Sequence, residues 1–73
     1  MSPRLPVLSP KEIVRLLEKS GFVLASQKGS HAKYRYADGR TTIIPMHSGE
    51  KIGPGLLLQI LSDAGIDPAL LRR

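Results

Sequence analysis

Three short strand-like runs, joined by links of only a few residues, constrain the fold of this chain most. They cover residues 22–27 (FVLASQ), 31–36 (HAKYRY) and 41–45 (TTIIP). The links KGS and ADGR are built from turn-forming residues. Links this short join antiparallel neighbours only, because a parallel pair needs a crossover of a dozen or more residues. Asp38-Gly39 is the strongest short-range hairpin signal, and Pro45 closes the third run. The middle of the chain therefore predicts a three-stranded antiparallel meander.

Helix signals flank it on both sides. Residues 1–8 read as an irregular lead-in. Ser9 suits an N-cap, Pro10 a first helical position, and Glu12 the reciprocal place in a capping box. A helix follows over 10–20, with Ile13, Leu16 and Leu17 at helical spacing and Gly21 as its stop. After a Gly- and Pro-rich loop, LLLQILSDAG predicts a second helix. Leu56, Leu57, Ile60, Leu61 and Ala64 share its apolar face, and Gly65 ends it. Asp67-Pro68 opens a last short turn carrying Leu70 and Leu71. The order α-β-β-β-α makes an α+β fold, and 73 residues make one domain, 1–73, with a small core. Two amphipathic helices cover one sheet face and leave the other for solvent or a partner.

Strand parity sorts residues between those faces. A two-residue Asp-Gly turn pairs Tyr34 with Ile43 and Arg35 with Thr42, and sets Met46 opposite His31. A three-residue turn around Gly29 places Phe22 and Leu24 on the Tyr34 side. The expected core face is Phe22, Leu24, Ala32, Tyr34, Tyr36 and Ile43. The expected open face is His31, Lys33, Arg35 and Thr42, with Val23, Ala25 and Ile44 between them. Eleven Lys and Arg against six Asp and Glu give a net charge of +5, which favours an anionic partner such as nucleic acid or an acidic protein. No Lys/Arg block exists, so a basic patch must be assembled by folding. All three aromatics fall on the core side, which argues against a platform for base stacking.

His31 has two readings on these grounds: a solvated turn residue, or a proton-transfer group beside a cationic row. RNA carries its own nucleophile, the 2′-OH, so a base, an acid and phosphate-binding cations suffice for its cleavage. DNA lacks that hydroxyl and normally needs a metal-activated water. His31 and His47 are the only nitrogen ligands of the usual type, Asp38 and Glu50 stand at no recognised ligand spacing, and cysteine is absent. No metal or cofactor is expected. Lys28, Lys33 and Arg35 are candidate phosphate ligands. His47 is read as assisting or as a loop residue. Ser30 either orients His31 or makes a local turn bond. Lys51, ahead of the second helix, is a further phosphate candidate or a plain loop residue. No run is long and apolar enough to span a membrane, and MSPRLPVL lacks a signal-peptide core. A cytoplasmic protein is expected.

GSHAKYRY, then DGR, then a strand ending in IPMH, then GPGLLLQILSDAGI, resembles the HicA-type (YcfA-like) mRNA interferase toxins. The likeness runs from the Leu-Pro lead-in to AGID. It implies a fold like a double-stranded-RNA-binding domain and metal-independent endoribonuclease activity on mRNA, within a type II toxin–antitoxin pair. It implies that His31, in the Gly-Ser-His motif, is catalytic, and that a HicB-like antitoxin blocks the site. His47 matches the histidine of the family's Pro-x-His segment. Many members carry a second histidine where this chain has Ala32, which leaves the chemistry to His31. Leu56 stands where a threonine is frequent. The rival readings are a non-catalytic RNA-binding module on the same basic face, and a subunit whose positive face docks an acidic protein.

Overall fold

The computed structural model describes residues 7–47 and 50–71. Its elements are α1 (Pro10–Lys19), β1 (Val23–Lys28), β2 (His31–Arg35), β3 (Thr41–Pro45), α2 (Pro54–Ala64) and a closing 3-10 turn (Pro68–Leu71). This is the α-β-β-β-α order expected from the sequence. Most of the lead-in lies outside the described residues. Leu8, within them, pairs with Ile52 in an isolated antiparallel bridge.

The ends of α1 form as its sequence dictates. The Glu12 N–H donates to the Ser9 hydroxyl at 3.2 Å, and the Ser9 N–H donates to the Glu12 carboxylate at 3.0 Å. This reciprocal box satisfies two otherwise orphaned donors. Hydrogen bonding from Ser9, backbone first and hydroxyl second, holds the Glu12 carboxyl below its ordinary range. Ile13 and Leu17 are fully buried and Leu16 only partly. In α2, Leu57, Ile60, Leu61 and Ala64 are buried, but Leu56 is 44% exposed and Leu58 43%. Successive helical residues turn by about 100°, so Leu56 and Leu58 flank the Leu57 stripe, and Leu56 does not join the core as expected.

The sheet order is β1-β2-β3, antiparallel throughout. Both helices pack against β3 from one side. Phe22, Ala32, Tyr34 and Ile44 meet the helices in a single core. Burial pushes the Tyr34 phenol pKa up, with Glu18 adding to the effect. β1 is exposed along its length. Leu24 lies opposite Tyr34, on the expected side, yet it stays outside the core the described helices cover and is 52% exposed.

Both hairpins differ from expectation in loop length. In the second, Tyr34 pairs with Thr42 and Arg35 with Thr41. Its loop is the three residues Ala37-Asp38-Gly39. The Tyr36 N–H donates to the Arg40 carbonyl at 2.8 Å, and the Gly39 N–H to the Tyr36 carbonyl at 2.9 Å. Gly39 takes φ +97° while Asp38 stays at negative φ, as in a type I turn closed by a glycine bulge. A two-residue Asp-Gly turn needs positive φ at both positions. Asp38 avoids it, and its carboxylate instead accepts from the Arg40 N–H at 3.0 Å and Nε at 2.7 Å. A slip of one residue exchanges the faces of a strand. Thr42 and Ile44 therefore enter the core, against expectation, and Ile43 points to solvent at 51% exposure. The Thr42 hydroxyl donates to the Ile60 carbonyl at 3.4 Å, which satisfies its buried oxygen.

In the first hairpin Lys28 pairs with His31 across a two-residue Gly29-Ser30 loop, one residue shorter than expected. Gly29 supplies the positive φ that such a loop needs at its first position. The register shifts between Leu24 and Ser26, leaving Ala25 as the extra residue of a bulge.

Candidate functional site

The face of the sheet away from the helices is a grid of three rungs. Residues directly opposite one another in an antiparallel pair share a face. The first rung is Lys28, His31 and Pro45; the second Ser26, Lys33 and Ile43; the third Val23, Arg35 and Thr41. Pro45 and Thr41 are half-buried and the other seven residues are exposed. His31, Lys33 and Arg35 form the central row, Lys28 sits beside His31, and the grid holds no carboxylate.

The bulge makes this grid compatible with the core. Phe22 is 2% exposed, and Lys28 lies six residues later. An unbroken strand would put both on one face. With Ala25 inserted, Phe22 turns inward and Lys28 still lands beside His31.

The structure keeps His31, Lys33 and Arg35 in one row, as strand parity predicts, and sets the phosphate candidate Lys28, expected in the turn, beside His31. It removes Thr42 and Ile44 from this face and supplies Thr41, Ile43 and Pro45 in their place, while Ala25 is the unpaired bulge residue. A two-residue loop hides these three, because it is one residue shorter than the loop that forms. A glycine at the third loop position, followed directly by the strand, is also the signature of a three-residue loop.

The same slip sets Pro45, not Met46, opposite His31. The Met46 N–H donates to the Ser30 carbonyl, and the next residue, His47, brings Nε2 to 3.5 Å from the Ser30 hydroxyl. Ser30 and His47 thus meet at the edge of the His31 rung, and both histidines are exposed. Lys51 lies off the grid. It lines a cleft of about 360 Å³ with Pro10, Lys11, Met46, His47 and Glu50, and His47 joins that cleft to the Ser30 corner. Among the described residues, no three His, Asp or Glu side chains cluster to hold a metal ion. No described helix is long and apolar enough to cross a membrane.

The arrangement can bind an anionic polymer along β2 and sets an exposed imidazole at one end of that row. A family model describing the HicA toxin of bacterial toxin–antitoxin systems matches residues 10–66. That span begins with α1, ends just after α2 and includes the whole grid. Among curated proteins, none matches the chain. With most of its length and its entire open face inside that match, the chain belongs to the HicA toxin family of bacterial toxin–antitoxin systems.

Proposed function

We propose that this toxin is an endoribonuclease that cleaves mRNA in the cytoplasm without a metal, using His31 for proton transfer. One observation carries the reading: His31 stands exposed on the helix-free face, between Lys28 and Pro45 and next to Lys33 in the same row. Lys28, Lys33 and Arg35 hold phosphates. The 2′-oxygen attacks the adjacent phosphorus, and the bond from phosphorus to the 5′-oxygen breaks. His31 takes the 2′-OH proton as general base, or gives a proton to the departing 5′-oxygen as general acid, and water carries the other of these two protons. The cations offset charge that builds on the phosphoryl oxygens. His47, on the Ser30 hydroxyl, assists from the edge of the rung, and Lys51 binds RNA outside the grid. The family pairs each toxin with an antitoxin. In this reading the partner is HicB-like and covers the grid.

RNA cleavage in EDTA, compared between wild type and His31→Ala, tests the mechanism. General acid or base chemistry is worth about 10²- to 10⁴-fold, and His31→Ala should lose that much rate while still binding RNA. Cleavage that needs a divalent metal, or that survives the substitution, sinks the mechanism. Equal binding by both proteins with cleavage by neither favours a non-catalytic RNA-binding module.

A further inference from the structure

We propose that Ile43, with Pro45 beside it, receives an unpaired nucleobase while Lys33 and Arg35 hold phosphates, so that the open face selects single-stranded RNA. This rests on the ribonuclease reading above and adds a substrate contact to it. Ile43 is an exposed, β-branched apolar residue directly opposite Lys33 on the functional face. On that face β3 presents Thr41, Ile43 and Pro45, which carry no charge, while β2 presents His31, Lys33 and Arg35. Opposite residues lie about 4.5–5.5 Å apart, so an uncharged row with Ile43 at its centre runs alongside a cationic one. A nucleic-acid strand has the same two-sided chemistry, with phosphates along one side and flat, weakly polar bases along the other.

A duplex does not match it. Its bases are stacked inside, and it offers a protein mostly phosphates and 2′-hydroxyls. Against a duplex, Ile43 would meet only hydrated backbone. A splayed base can cover it and exclude water from it. Tyr34 and Tyr36 are committed to the core side, so this face reads bases through an aliphatic contact. An aliphatic ledge accepts any base, which makes the contact selective for strandedness rather than for sequence.

The test uses Ile43→Thr, which keeps a β-branched residue in the strand, and Ile43→Val, which stays apolar and loses one methyl-sized group. Each is assayed for cleavage of an oligoribonucleotide, of the same oligonucleotide made abasic at each position near the cut, and of its duplex. Binding is measured in parallel in the His31→Ala background, so the arm does not depend on catalysis. Ile43→Thr should lose about three- to tenfold on intact single strands, the scale of one or two methyl-sized contacts. It should lose nothing further on the strand abasic at the covered position, and that abasic strand should cost the wild type a similar factor. Ile43→Val should lose less than Ile43→Thr on the intact strand, and the duplex should bind weakly whatever stands at position 43. An equal loss on intact and abasic strands at every position, no loss at all, or a duplex bound as tightly as the single strand overturns the proposal. Binding that shows the expected pattern without cleavage by the wild type defeats the ribonuclease reading and leaves the base contact standing. A wild type that neither cleaves nor binds RNA defeats both.

Discussion

Arg40 joins parts of the chain that are distant in sequence. Its Nη1 donates to the Ala64 carbonyl at 2.6 Å, at the C-terminal end of α2. There a cation also faces the negative end of the helix dipole. Its guanidinium lies 4.6 Å from the Tyr36 ring centroid and 5.8 Å from that of Phe22. The two rings are themselves 5.3 Å apart. Arg40→Ala should destabilise the fold by about 2 kcal/mol, the scale of one charge-assisted hydrogen bond and a cation–π contact; urea unfolding measures it, and a loss under 0.5 kcal/mol, the usual limit for a surface change, would leave the clamp without weight. Gly65 ends α2 at φ +69°, and a Cβ there meets the Arg40 guanidinium. Asp38 contributes a pH dependence. Hydrogen bonding from the Arg40 backbone, then from its side chain, holds the Asp38 carboxyl below its ordinary range. A carboxyl lowered in the folded state stabilises above its unfolded pKa, and that stabilisation is lost as pH falls through the folded value. Wild type should therefore melt above Asp38→Asn at neutral pH, and the two melting temperatures should converge in acid. A gap that stays constant down to pH about 2, below the ordinary aspartate range, contradicts this role.

At the scale of elements, what was legible in the sequence was whatever local chemistry decides. The Ser9-Pro10-Glu12 start of α1, the three strands, the Gly65 stop and the Asp67-Pro68 turn are local signals, and each formed. So did the row of His31, Lys33 and Arg35, because parity within one strand needs no partner. What failed was register between strands. Asp38-Gly39 serves two-residue and three-residue loops alike, and the choice depends on Arg40, whose own partners include a carbonyl 24 residues away. Ile43 and Ile44 are chemically equivalent as core residues, so hydropathy cannot choose between them. The bulge at Ala25 was not legible either, since it answers two tertiary demands at once: Phe22 in the core and Lys28 on the open face. The Gly29-Ser30 loop fixes Lys28 against His31. Deleting Ala25 should therefore turn Phe22 out of the core, at a cost of about 3 kcal/mol or more. An unchanged midpoint in chemical denaturation would mean that the bulge does not set Phe22's burial.

At the scale of the whole molecule, the sheet divides the labour. One face holds Ala32, Tyr34, Thr42 and Ile44 against the helices, and the other is free for a partner. The excess of positive charge and the absence of a carboxylate from the grid suit that face to a polyanion. Lys33→Ala and Arg35→Ala should each weaken RNA binding and reduce the salt dependence by about 0.7 per lost phosphate contact on a single strand. An unchanged salt slope in both would move the binding surface elsewhere. The proposed ribonuclease chemistry is tested most directly by the ends of RNA incubated with the protein in EDTA. Wild type should produce 2′,3′-cyclic phosphate and 5′-hydroxyl ends, and His31→Ala should produce neither. Ends with 3′-hydroxyl and 5′-phosphate, or cyclic-phosphate ends made equally well by His31→Ala, would contradict it.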